Sequence, residues 1–297
     1  MKKFSALVLS LVFLFLCGCA GEETASSSKK ESEKETTASY NPNGLFSSEA
    51  EEPVSSLDSV SSETISEEES QVETTSSEGS TINTETGIIE PSTVENPCGI
   101  TSKGRKDNSG SDWEMTLVNP WNTLHLDYSV ELATIDARFS SGLQFDKRAV
   151  KYLNEMCEAA AEDGVSLWVI SAFRTYDYQQ GLFNAEVNEY YAYHPGASQK
   201  EAEIGASAEV ARPGTSEHNL GLAIDFNSVE QSFENTEQFK WLQEHAVEYG
   251  FIMRYAADKQ SYTGVIYEPW HYRFVGKENA KKIKASGLSL EEYLANN

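Results

Sequence analysis

Two short stretches of the 297-residue chain carry side chains able to hold a metal ion and do hydrolytic chemistry beside it. In Ser216-Glu217-His218-Asn219-Leu220-Gly221-Leu222-Ala223-Ile224-Asp225, an imidazole and a carboxylate lie seven residues apart. In Tyr267-Glu268-Pro269-Trp270-His271-Tyr272, a Glu and a His lie three apart across a proline. His218, Asp225 and His271 together make two imidazoles and one carboxylate, the three-ligand count of a catalytic zinc site with a fourth position open. Imidazole and carboxylate suit zinc and indicate no redox metal. Glu268 is then the natural general base for water activated at such a site, and can return the proton to a leaving amine.

The elements that must position these groups are legible in outline. Leu220, Leu222, Ile224 and Phe226 alternate with Gly221, Ala223 and Asp225, the pattern of a strand whose second face is small apart from its carboxylate. Seven is an odd offset, so His218 and Asp225 cannot share a face of an unbroken strand, and Gly221 permits the bend that would bring them together. Pro269 cannot donate to a sheet ladder, so a bulge or edge is expected there, and such a kink can put Glu268 and His271 on one side. Blander readings stand beside these. Asp225 could close a strand with His218 in a loop, and Glu268 could pair with Arg254 or Arg273 beside a half-buried His271.

Around these segments the chain reads as alternating helices and strands. Helices are expected over 145–161 capped by Asp146, 176–191, 236–249 closed by Gly250, 277–286 and 289–294. Strands are expected over 165–173, 220–226, 251–255 and 264–275, the last broken by Pro269. Residues 194–213 read as a covering loop with room for a short helix. The order implies an α+β domain with a mainly antiparallel central sheet flanked by helices.

At these residues the chain closely resembles the VanY-type zinc D,D-carboxypeptidases, within the larger group that includes D-Ala-D-Ala dipeptidases and hedgehog-like domains. Ser216, His218, Gly221, Ala223 and Asp225 match the family pattern Ser-x-His-x-x-Gly-x-Ala-x-Asp, and Glu268 to His271 match Glu-Pro-Trp-His. The resemblance continues through Leu117-Val118-Asn119, Ser171 to Thr175 and Leu288 to Leu294. It implies zinc on His218, Asp225 and His271, with Glu268 as base. It implies that Arg174 stabilises the tetrahedral oxyanion, a task for a fixed cation, that Ser216 contacts the terminal carboxylate of the substrate, that Gln179 contacts substrate and that Trp270 walls the pocket. Where relatives often have Gly-Tyr-Arg-Ser, this chain has Ala172-Phe173-Arg174-Thr175, so one tyrosine hydroxyl is missing. His125, His194 and His245 fit no motif and read as surface or structural.

The first residues look like an export signal: Lys2 and Lys3, an apolar run from Phe4 to Leu16, then Leu16-Cys17-Gly18-Cys19, which resembles a lipobox with Cys19 as the lipidated residue. The run is shorter than a comfortable bilayer span. Residues 20–112 are rich in Ser, Thr and Glu. Within 20–98 there are 18 acidic and 3 basic side chains, much of the formal net charge of -24. Such a segment buries too little apolar surface to fold alone and reads as a disordered acidic tether; the folded catalytic domain is expected over 113–297. The charge argues against nucleic-acid binding. Cys98 and Cys157 remain for the mature chain. Export permits a disulfide, but Cys157 falls on an apolar helix face and reads as a buried free thiol.

The resulting expectation is a monomeric D-alanyl-D-alanine carboxypeptidase, anchored by lipid outside the cytoplasmic membrane, facing the cell wall and trimming the C-terminal D-Ala of peptidoglycan stem peptides. Endopeptidase or L,D-carboxypeptidase action on the same site is the enzymatic alternative. A zinc-containing cell-wall binding lipoprotein without catalysis is the alternative of another class.

Overall fold

The computed structural model describes residues 82–83 and 86–297; the export signal, Cys19 and residues 20–81 of the expected tether lie outside the described residues. In chain order the elements are β1 (Ile82–Asn83), β2 (Ile88–Ile89), β3 (Ser102–Asp107), β4 (Asn122–Ser129), β5 (Leu132–Thr134), β6 (Gln144–Asp146), α1 (Val150–Glu162), β7 (Val169–Ser171), α2 (Tyr176–Tyr193), α3 (Gln199–Ala206), α4 (Glu217–Leu220), β8 (Ala223–Phe226), α5 (Glu237–His245), β9 (Phe251–Tyr255), α6 (Gln260–Thr263), β10 (Glu268–Phe274), α7 (Lys277–Ser286) and α8 (Leu290–Ala295).

The central sheet has the order β7-β8-β10-β9, with every neighbouring pair antiparallel. A second sheet, β1-β2-β4-β3, is antiparallel except for the β3–β4 pair. The expected α+β class with a mainly antiparallel sheet and flanking helices is what is found. α1 lays Leu153, Met156, Cys157 and Ala160 into the core shared with Leu222, Ile224 and Phe226 of the β8 segment and with Tyr272 and Phe274 of β10. A smaller cluster of Ile252, Val275, Ala280, Ile283 and Leu290 seats α7 and α8. Among the described residues Cys98 and Cys157 are both free, Cys157 fully buried.

Several boundaries differ from the sequence reading. Phe145 and Asp146 do not open α1: they pair with Ala133 and Leu132 of β5. Asp146 accepts hydrogen bonds from the backbone and side chain of Arg148 instead of capping the helix. The strand expected over 165–173 is laddered only at β7, and just past it the Ala172 carbonyl is engaged by the His218 ring. Leu220 is helical rather than extended, and Gly221 stands left-handed between α4 and β8 at φ 84°. The helix expected over 236–249 tightens into a 3-10 turn at Ala246–Tyr249. Residues 194–213 do contain a helix, α3, closed at its start by a Ser198–Glu201 capping box.

The expected start of the folded domain at Trp113 is too late. Ile89 is buried, and a Cβ added to Gly214 would come within 2.1 Å of its Cδ1, so this side chain lies directly on the loop leading into α4. The Val94 carbonyl accepts the Trp121 indole N–H at 2.9 Å, and the Thr86 carbonyl lies 2.9 Å from Nε2 of buried His125. Composition missed this because a few apolar residues in a polar run suffice once a partner surface covers them. Ile89→Ala should therefore lower unfolding stability by about 2–5 kcal/mol, measured by urea denaturation. A change within about 0.5 kcal/mol, the range of an ordinary surface substitution, would return this segment to the tether.

Candidate metal centre and active site

His218 is delivered by the one-turn helix α4. Ser216 caps it, accepting from the His218 N–H at 3.3 Å, and Gly221 ends it, donating to the His218 carbonyl at 3.2 Å. The left-handed turn at Gly221 reverses the chain so that β8 runs back past the histidine it follows. His218 Nδ1 lies 2.7 Å from the Ala172 carbonyl. That acceptor requires the proton on Nδ1 and leaves the lone pair on Nε2, which points at Asp225 Oδ2 from 3.2 Å.

Asp225 and His271 are direct partners across the β8–β10 ladder, so both side chains leave the same face of the sheet. On a regular strand Glu268, three residues earlier, would leave the other face. The β9–β10 register shifts between Glu268 and Tyr272, and the bulge turns Glu268 inward. His271 Nδ1 then lies 3.1 Å from Asp225 Oδ1 and 3.5 Å from Glu268 Oε2. The kink expected from Pro269 thus does what the spacing required.

The donor set fits a single cation. One ligand atom from each of His218, Asp225 and His271 lies within 4.8 Å of the other two, and all three residues are buried. Among the described residues Asp225 Oδ1 has no well-formed hydrogen bond, although a ring nitrogen lies 3.1 Å away. Lone pairs that approach without an aligned proton are those that converge on a shared ion. The electrostatics agree. Burial and the Arg174 charge drive the His218 pKa down to about 4, so this ring is held neutral. Burial also works against charge on Asp225, but the two imidazoles hold it well below the usual carboxylate range. Burial pushes Glu268 up to about 8, with His271 opposing and Asp225 adding to the rise. Burial would lower His271 too, yet the neighbouring Asp225 and Glu217 carboxylates lift it to about 9. The pocket favours a positive charge between Asp225, Glu268 and His271.

Arg174 sits at the edge of this group. Its Nη2 donates to Asp225 Oδ2 at 2.9 Å, its Nε to Ser171 at 2.9 Å and its Nη1 to Gln179 at 3.2 Å. Its backbone is tied to α4 through the Arg174 N–H to His218 carbonyl bond and through Asn219. Gln179 is fully buried and spends its amide N–H on the Ala211 carbonyl at 2.7 Å. Arg174, Gln179, Ser216, Trp270, Glu268 and the three candidate ligands all line one cavity of about 390 Å³. Every site residue expected within the folded chain is therefore brought to one place. The outer wall carries Glu186, Glu189 and Glu209, which no motif marked.

The alternative pairing of Glu268 with Arg254 or Arg273 is not realised. Both arginines bind Glu217, at 2.8 and 2.6 Å, and Glu291 closes the cluster on Arg254. Glu217 carried no chemical signal in the sequence beyond its place between Ser216 and His218. Its importance comes from two arginines distant in the chain.

An α+β domain with a buried His-Asp-His group, a neighbouring carboxylate and a fixed arginine in one cavity is the framework of a metallohydrolase. Comparison with known proteins narrows the class. The family model for VanY, described as D-alanyl-D-alanine carboxypeptidase, matches residues 142–277. A D-alanyl-D-alanine carboxypeptidase of Enterococcus faecalis is 42% identical over 202 residues, 68% of this chain and 73% of that protein. A crystal structure of a mutant of the vancomycin resistance D,D-pentapeptidase VanY, in complex with Zn(II), superposes with a TM-score of 0.54 at 43% identity, covering 61% of this chain and 99% of the other. VanYB in complex with D-alanine-D-alanine gives a TM-score of 0.55 at 43% identity, covering 61% and 97%. The chain belongs to the VanY D-alanyl-D-alanine carboxypeptidase family.

Metal should stabilise the folded protein by mass action. Zinc at a free concentration 100 times its Kd should add about 2.7 kcal/mol, seen as a raised unfolding temperature. His218→Ala should remove the increment; if the variant keeps it, zinc binds elsewhere.

Proposed function

We propose that this chain is a zinc-dependent D,D-carboxypeptidase that removes the C-terminal D-Ala from peptidoglycan stem peptides. The observation that carries the reading is the convergence of His218, Asp225, His271, Glu268 and Arg174 in one cavity. The family relationship supports the substrate class. Zinc would be held by His218 through Nε2, by Asp225, and by His271 through Nδ1. When bound, it supplies Lewis acidity that polarises a carbonyl and makes water a stronger acid.

The protein's own groups then have separable tasks. The Glu268 carboxylate stands beside the ligand cluster and takes a proton from the attacking water as its oxygen bonds to the scissile carbonyl carbon. The same proton passes to the nitrogen of the departing D-Ala as the C–N bond breaks, so one water is consumed and Glu268 is restored. Arg174, held by Ser171, Gln179 and Asp225, is a fixed positive charge bordering the place where negative charge develops on the carbonyl oxygen. Ser216 uses its oxygen to accept from the His218 N–H, which leaves its O–H to donate to the terminal carboxylate of the substrate. Gln179, expected to contact substrate, is instead fully buried and keeps Arg174 in place from the same wall, and Trp270 closes the apolar side.

The export-like start and the Leu16-Cys17-Gly18-Cys19 stretch support a lipid anchor at Cys19 and action outside the membrane, facing the wall. The acidic segment that follows supports a tether between the lipid and the catalytic domain.

Purified pentapeptide, tetrapeptide and cross-linked muropeptides, digested and read by mass spectrometry, test the reaction. Loss of one D-Ala from pentapeptide is expected; cleavage confined to tetrapeptide or to cross-links would replace this reading with the L,D or endopeptidase one. Glu268→Ala should keep stoichiometric zinc and lose about 10²–10⁴-fold in kcat. Full turnover in that variant would remove Glu268 from its role. In cells, Cys19→Ser should shift the protein from the membrane fraction to the medium, and an unchanged membrane fraction would argue against the anchor.

A further inference from the structure

Beside the metal centre lies a second buried group of charges. Glu217 Oε1 receives both arginines, Arg254 Nε at 2.8 Å and Arg273 Nη1 at 2.6 Å. Arg254 turns its other two nitrogens to the two oxygens of Glu291, at 2.9 and 2.5 Å. All four side chains are buried. Two arginines and two glutamates balance in charge, and Nε and Nη2 of Arg273 donate to the carbonyls of Phe274, Glu114 and Thr116. As a structural cluster it is complete through Oε1 of Glu217 alone.

Oε2 of Glu217 is left over. It is buried without a hydrogen-bond partner among the described residues, and so is Nε2 of His271. The two atoms face each other at 3.6 Å. An unmet buried polar group is destabilising, and here two of complementary kind stand a fraction of an ångström beyond bonding distance. His271 turns its other nitrogen, Nδ1, towards Asp225 and Glu268. The arrangement parallels that of His218, whose Nδ1 bonds the Ala172 carbonyl while Nε2 faces Asp225.

We infer that Glu217 is a positioning residue for the metal site: its Oε2 accepts the Nε2 proton of His271 and so fixes that ring with Nδ1 towards the metal, while Arg254, Arg273 and Glu291 hold the carboxylate in place. The inference rests on the zinc reading above. A ligand histidine whose second nitrogen is held by a carboxylate is a more basic ligand in a single orientation, and loss of such a partner commonly weakens metal binding about 10–100-fold. Here the partner is itself anchored by α8, through Glu291, and by β9 and β10, through the arginines. The closing helix of the chain is thereby joined to a metal ligand.

The deciding measurement is made on the full-length, zinc-loaded wild-type protein with ¹⁵N-labelled histidine, the His271 ring being assigned by its loss in His271→Gln. Nε2 should carry a proton protected from exchange with solvent, and Nδ1 should show the shift of a metal-bound nitrogen. A metal-bound or unprotonated Nε2 in a protein that does hold zinc overturns the role of Glu217 and leaves the metal site standing; a wild-type protein that takes up no zinc overturns both. Glu217→Gln, shown to be folded by circular dichroism, should bind zinc about 10–100-fold more weakly in chelator competition. A folded variant with an unchanged zinc constant overturns the inference, and should the variant not fold, the wild-type nitrogen spectrum decides alone.

Discussion

The site depends on one antiparallel pairing, Asp225 opposite His271 in the β8–β10 ladder. Direct partners on one sheet face carry their Cβ atoms about 4.5–5.5 Å apart, which lets a carboxylate and an imidazole share one ion. The remaining members are brought to that pair by local departures from regular structure. The left-handed turn at Gly221 folds α4 back so that His218 meets Asp225. The bulge after Glu268 moves a carboxylate from the wrong face to the right one. Both devices sit next to residues they position, and neither would help if the strand register slipped, since a slip of one residue reverses every side chain.

Burial gives the arrangement its chemistry and its constraint. In a site shielded from water, opposite charges attract strongly and unmatched ones are costly. The protein answers by separating its charges into two neighbouring groups. Arg254 and Arg273 are taken up by Glu217 and Glu291, so neither neutralises Glu268. Glu268 therefore has His271 and Arg174 to favour its charge while burial raises its proton affinity, which makes it a group suited to exchanging protons. Had either arginine paired with Glu268, its proton affinity would have fallen and the cavity would have held an ion pair in place of a base. The cluster also joins α4, β9, β10 and α8, elements far apart in the chain.

The segment before Trp113 contributes to the same end. Ile89 packs on Gly214, whose carbonyl accepts from the Leu124 N–H at 2.8 Å. The loop that enters α4 is thus held between the central domain and chain that composition assigned to the tether. A one-turn helix has little stability of its own, so the placement of His218 depends on these flanking contacts, on its Ser216 cap and on the Ala172 carbonyl.

Residue type and spacing determined much of this protein. Two His, one Asp and one Glu in two motifs named the candidate ligands and base, the odd offset between His218 and Asp225 called for a bend at Gly221, and Pro269 called for a bulge. Helices α2 and α7 were legible nearly to their ends because local capping decides them: Thr175 caps α2 and left-handed Gly287 closes α7. Only the tertiary structure decided that Phe145 and Asp146 form a strand, that Ile89 belongs to the folded domain, and that Glu217 rather than Glu268 receives Arg254 and Arg273. Those outcomes depend on which surfaces meet across long stretches of chain. A carboxylate reads the same in sequence whether it holds a proton for catalysis or two arginines for structure, and the partners that distinguish the two lie 37 and 56 residues away from Glu217.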